Sequence, residues 1–198
     1  MTDDDRLSAQ LEFVLEIDRL KQVVRQTYLT DRSRRETDAE HSWHVAVMAL
    51  VLGEYAAGPG VNLDRAVRLL LVHDLVEIDA GDTFVYDEAG RRDQAERERR
   101  AADRIFGLLP ADQGATLRGL WEEYESRQTP EARFAGALDR FQPILHNVRT
   151  KGAAWQAHGI RRDQVVAQNR HMAEGAPALW RVAERLIDDA VAQGYLAP

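Results

Sequence analysis

Apolar positions recur at three- and four-residue spacing along almost the whole chain, and no stretch alternates apolar with polar residues long enough for a half-buried strand. This pattern predicts an all-α fold, a compact bundle of many helices. A first helix is expected over residues 7–26, with Leu11, Val14, Leu15, Ile17 and Leu20 turned inward, followed by a basic, irregular segment at 27–36. Thr37-Asp38-Ala39-Glu40 then reads as a capping box, in which the N-cap hydroxyl and the Glu at N3 each satisfy a free amide. His41 therefore falls in the first turn of the next helix, on a stripe continued by His44, Val45, Met48, Ala49 and Leu52. Gly58-Pro59-Gly60 ends that helix, and another begins near residues 62–64 and carries Leu70, His73, Asp74 and Glu77 along one side as far as Gly81. The mixed-charge run 88–104 reads as a solvated helix laced with ion pairs. Helices follow at about 111–125 and from Thr129-Pro130, the latter by N-cap and N1 preference. That last one carries Phe134, Leu138, Phe141 and Leu145, with Asp139 beside the apolar face and a kink expected there because Pro143 lacks an amide. Helices at about 161–171 and 176–192 close the chain.

With 198 residues, 44% apolar and 30% charged, the chain suits one globular domain, residues 1–198, with its core at about 10–160 and the helices at 161–192 covering it. A net charge of −7 leaves no extended basic surface, so long nucleic acid is not an expected partner and a small anionic substrate needs a local basic pocket. The absence of cysteine excludes a disulfide framework, a thiolate metal site and a Cys nucleophile. Met1-Thr2-Asp3-Asp4-Asp5 is acidic where a secretory signal is basic and then apolar, and the longest apolar stretch, 45–52, falls short of the ~20 residues that span a bilayer. A soluble, cytoplasmic protein with no membrane partner is expected.

The chemistry concentrates in RAVRLLLVHDLVEIDAGD, residues 65–82. His73-Asp74 ends a strongly apolar run, and burying a carboxylate there costs several kcal/mol unless something pairs with it. A divalent cation is such a partner. His41 and Asp139, from two other helices, complete a candidate donor set of two imidazoles and two carboxylates, which suits one first-row divalent ion (Mn, Co, Fe, Zn or Ni) better than Mg²⁺. Glu77, four residues after His73 and three after Asp74, can face the same cleft and protonate a leaving alkoxide. Arg25, always charged and able to make two parallel contacts with phosphate, offsets the acidic site. His44 reads as a fifth ligand or as packing, and Lys21 as a surface residue. Arg149 and Lys151 read as the border of the pocket or as helix C-terminal cations. His146, His158 and His171 have no partner at useful spacing.

His41, His73-Asp74 and Asp139 in Gly136-Ala-Leu-Asp-Arg-Phe-Gln142 resemble the H…HD…D signature of the HD-domain metal phosphohydrolases. Glu40-His41-Ser42 and His73-Asp-x-x-Glu77-x-x-x-Gly81-Asp82 are similar to the branch that contains the 5′-deoxynucleotidases. The resemblance covers about residues 10–160. It implies metal ligation by His41, His73, Asp74 and Asp139, a catalytic and phosphate-end role for Glu77 and Asp82, and phosphate binding by Arg25 in Leu20-Lys21-x-x-x-Arg25. It also implies a homodimer and hydrolysis of small phosphate monoesters, above all (deoxy)nucleoside 5′-monophosphates. Relatives often carry Trp close behind the arginine, where this chain has Gln26-Thr27-Tyr28. Glu77 is followed by Ile78 rather than Asp, unlike the (p)ppGpp hydrolases, and no His occurs from 75 to 138, unlike the bimetallic phosphodiesterases. The alternative is a regulatory domain that binds nucleotide without turnover. Retention of Glu77 and Asp82 counts against it, since a binder needs no proton donor.

Overall fold

The computed structural model describes residues 2–198. Its first helix, α1 (Asp3–Glu16), starts earlier than the apolar spacing predicts, because Thr2 and Asp5 form a capping box and three aspartates sit at the positive end of the helix dipole. It also stops earlier. A 3₁₀ segment (Ile17–Gln22) leads into strand β1 (Val24–Tyr28), which pairs antiparallel with β2 (Arg35–Thr37), Val24 opposite Thr37 and Tyr28 opposite Arg35. The hairpin corrects the expectation of an irregular segment. β-Branched and aromatic residues favour extension here, and the Asp31 carboxylate accepts bonds from the Ser33 amide at 2.9 Å and hydroxyl at 2.7 Å while Arg32 takes the left-handed conformation at φ 65°. The inward face expected for the first helix is also corrected: Phe13 and Leu20 are buried, whereas Leu11, Val14 and Leu15 face solvent.

Helix α2 (Asp38–Leu52) begins on the Thr37 capping box as read from sequence. α3 (Leu63–Val72) is capped by Asn62 and ends just before His73-Asp74, and the chain turns into the short α4 (Glu77–Ala80). His73, Asp74 and Glu77 therefore do not share one regular helix, although the Glu77 amide donates to the Asp74 carbonyl at 3.0 Å and keeps them adjacent. α5 (Gln94–Phe106) and α6 (Ala111–Ser126) follow, and then α7 (Pro130–Arg149), with Thr129 as N-cap and Pro130 at its start. α7 continues through Pro143 and forms the spine of the molecule, touching α2, α3, α6 and β1. α8 (Ala153–Ala157), α9 (Arg162–Asn169), α10 (Met172–Gly175) and α11 (Pro177–Ala192) complete the chain. α10 and α11 pack on α7, and one continuous apolar cluster runs from Phe13 through Phe134 and Leu138 to Ile187 and Leu196. The approach of α10 to α7 depends on Gly175, where a Cβ would stand 2.0 Å from the Arg133 carbonyl oxygen. No helix among the described residues is long and apolar enough to cross a membrane.

Candidate metal centre and its cleft

The start of α2, the turn after α3 and the middle of α7 converge on one point. His41 is fully buried, its Nε2 3.0 Å from Asp139 Oδ1 and its Nδ1 3.3 Å from Gln142 Oε1. His73 donates from Nδ1 to the Leu70 carbonyl at 2.7 Å, which leaves Nε2 as a lone pair, 3.2 Å from Asp74 Oδ1 and 3.8 Å from Asp139 Oδ1. Asp139 Oδ2 accepts a bond from the Tyr124 hydroxyl at 2.9 Å. One donor atom each from His41, His73 and Asp139 lies within 4.8 Å of the others, with Asp74 at their edge.

Arg25 sits on β1 rather than on a first helix, and the strand brings it to the same place. Its Nη1 donates to Asp38 Oδ1 at 2.9 Å and Asp74 Oδ2 at 3.0 Å, and lies 3.8 Å from Asp82 Oδ1. Gly81, at φ 75°, makes the left-handed turn that returns Asp82 to the cleft. The cleft encloses about 350 Å³, and Arg25, His73, Asp74, Glu77, Asp82 and Asp139 all line it.

Burial and crowded acids set the electrostatics. Burial, reinforced by Asp74 and Glu98, pushes Glu77 up to about 10, so its carboxyl is neutral near pH 7. Burial and Asp74 likewise carry Asp38 up to about 7, and burial raises Asp82. Burial and Arg25 oppose a charged His41, but Asp139, Glu36 and Asp74 outweigh them and lift it to about 9. Burial works against ionised Asp139 too, yet Arg140, His41 and His73 hold its carboxyl well below the usual range.

The donor chemistry fits a divalent cation. His73 Nε2, Glu77 Oε2, Asp38 Oδ2, Arg25 Nε and Arg140 Nε are buried without a hydrogen-bond partner, an uncommon concentration of unmet polar groups at one place. Two imidazole nitrogens and the Asp139 carboxylate converge, with Asp74 beside His73, and each histidine's other ring nitrogen faces an oxygen acceptor that fixes its tautomer.

Some expectations fail here. His44 is no fifth ligand of this set, since it turns toward Gln142. Arg149 and Lys151 lie on a separate groove with Thr30 and His146 and do not border the cleft. Lys21, by contrast, is the surface residue expected, exposed and paired with Asp18. His146 is not without partners, because it meets Gln142 and lies with His44 and Glu36. Sequence reasoning also missed residues. Tyr124 had no signal beyond an apolar position, and Glu98 was hidden in the charged run, although Ala101, Ala102 and Ile105 mark its side of α5 as buried. Gln142, one turn after Asp139, was legible only as part of the motif.

The HD domain family profile matches residues 17–180. The 5′-deoxynucleotidase HDDC2 of Homo sapiens is 37% identical over 136 residues, 68% of this chain and 65% of that protein, so the chain matches slightly less than two-thirds of that relative's length. A solved structure from Magnetospirillum magnetotacticum MS-1, described as a predicted metal-dependent phosphohydrolase, superposes with a TM-score of 0.95 at 55% identity and covers 100% of this chain and 99% of its own. An HD-domain phosphohydrolase from Listeria innocua, at 18% identity, shares the fold with a TM-score of 0.61 over 93% of this chain and 90% of its own.

Proposed function

Because the chain belongs to the HD-domain family, we propose that it is a metal-dependent phosphomonoesterase that cleaves nucleoside and deoxynucleoside 5′-monophosphates to nucleoside and phosphate. The observation that carries this reading is that one cleft brings together nitrogen and oxygen donors, a half-buried arginine and the buried carboxyl of Glu77. The activity named for the human relative and the description of the Magnetospirillum protein support the substrate class and the need for metal.

In this reading His41, His73, Asp74 and Asp139 hold one divalent ion of the manganese, iron, cobalt, nickel or zinc class. When bound, the ion supplies positive charge to the phosphoryl group and makes water more acidic for attack on phosphorus. Arg25 binds the phosphate: its carboxylate partners occupy Nη1, and its Nε has no partner within the protein. Asp82 orients that guanidinium. Glu77, buried in the cleft beside Asp74, carries the proton that the departing 5′ oxygen needs; in the metal-free protein burial lifts its carboxyl to about 10. The chain is read as one domain, residues 1–198, supported by the single apolar cluster that runs from Phe13 to Leu196. Cytoplasmic location and a homodimer complete the proposal. The dimer draws support from apolar faces left exposed at helical spacing, Leu7, Leu11, Val14 and Leu15 on α1 and Trp43, Val47, Leu50 and Val51 on α2, none of which lines the cleft.

Phosphate release from a panel of nucleoside and deoxynucleoside monophosphates, with each divalent metal added in turn, tests the reading. Turnover of at least one 5′-monophosphate is expected, and kcat/KM should fall steeply in Arg25→Ala with partial recovery in Arg25→Lys. Tight nucleotide binding with no turnover under any metal would favour the regulatory alternative.

A further inference from the structure

A second set of nitrogen and oxygen donors stands outside the cleft. Glu36 in β2, His44 in α2 and His146 in α7 bring one carboxylate oxygen and two imidazole nitrogens within 4.8 Å of one another. Glu36 and His146 are buried, and His44 is half-buried. The side-chain amide nitrogen of Gln142 occupies the middle of the set, 2.7 Å from Glu36 Oε1, 3.3 Å from His44 Nδ1 and 3.2 Å from His146 Nε2.

The count of protons does not balance. An amide nitrogen carries two hydrogens and accepts none, so both ring nitrogens facing it must present lone pairs, and three acceptors compete for two protons. For His146 this orientation is fixed independently, because its Nδ1 lies 3.1 Å from the Tyr28 carbonyl and donates to it. A backbone carbonyl holding one ring nitrogen while the other faces a site is how a ligating histidine is usually oriented. Solvent reaches the cluster as well, since His44 and His146 line an open groove of about 580 Å³.

We propose that Glu36, His44 and His146 form a second site for a first-row divalent cation of the zinc, cobalt or nickel class, which displaces the Gln142 amide and sits where its nitrogen now lies. Two imidazoles and one carboxylate without thiolate suit these ions, and three protein donors leave a position for water. Arg149 and Lys151 stand on the same groove and oppose an incoming cation, so this site is the weaker of the two.

Metal-stripped protein titrated with Zn²⁺ or Co²⁺, read by calorimetry and by the visible absorption of bound Co²⁺, tests the proposal without any assay of activity. The wild type is expected to take two equivalents, the second more weakly. His44→Gln and His146→Ala should each keep the first and lose the second. His73→Ala should do the reverse, which separates this site from the cleft. If His146→Ala does not fold, as judged by circular dichroism, the half-buried His44→Gln decides alone. A wild type that takes one equivalent only, or two equivalents retained in every folded histidine variant of the second set, overturns the proposal.

Discussion

Glu77 stands beside Asp74, and its neighbours decide its state. In the metal-free protein burial and neighbouring acids lift its carboxyl to about 10, so it holds a proton at pH 7 that an ordinary glutamate has lost. General acid catalysis contributes roughly 10²–10⁴-fold. Glu77→Gln should therefore lower kcat on a nucleoside monophosphate by about that factor with metal content unchanged. The loss on p-nitrophenyl phosphate should be smaller, because its leaving group needs less protonation. Equal losses on both substrates would assign Glu77 to orienting water instead. The same shift has a consequence for stability. In the metal-free protein the folded state keeps a proton on Glu77 that the unfolded chain releases above its ordinary value of 4.5, so stability falls as pH rises between 4.5 and about 10. The stability advantage of metal-free Glu77→Gln over metal-free wild type should grow from pH 5 to pH 9 in urea unfolding. A constant difference would mean that Glu77 ionises normally in the folded state.

At the scale of elements, the site depends on where helices start and stop. The capping box at Thr37-Glu40 sets His41 in the first turn of α2, and Thr129-Pro130 sets the register that brings Asp139 inward, both visible in the sequence because caps are local chemistry. The β1–β2 hairpin was not visible, since five and three residues are too few to show an alternating pattern. Arg25 therefore reached the cleft on a strand rather than on the helix that its spacing suggested. The second histidine set was equally hidden, because Glu36, His44 and His146 come from three elements with no common spacing. The apolar spacing of α1 marks a stripe that the fold leaves exposed, since spacing reports an apolar face but not what covers it. A second copy of the chain is the occupant proposed for that face and for its counterpart on α2. Leu50→Glu, at a position 61% exposed, should leave the fold intact and halve the mass in solution, measured by light scattering. A wild type with the mass of one chain would contradict the dimer.

The whole molecule is a frame for one acidic cleft. α7 carries Asp139 toward the cleft while its apolar residues fix α3, α10 and α11 around it, so the buried charges are held by a core that cannot relax away from them. Buried carboxylates and unmet polar atoms are costly in an otherwise apolar frame, and a bound cation offsets that cost, tying metal affinity to folding. On the proposed function, this cleft hydrolyses phosphate monoesters only with a divalent ion held by His41, His73, Asp74 and Asp139. The most direct test is phosphate release from deoxyadenosine 5′-monophosphate by chelator-stripped protein before and after a divalent metal is added back, with His73→Ala alongside. No release is expected from the stripped protein, with recovery on adding metal and none in the variant. Full turnover without metal, or a His73→Ala protein as active as wild type, would contradict the proposed function.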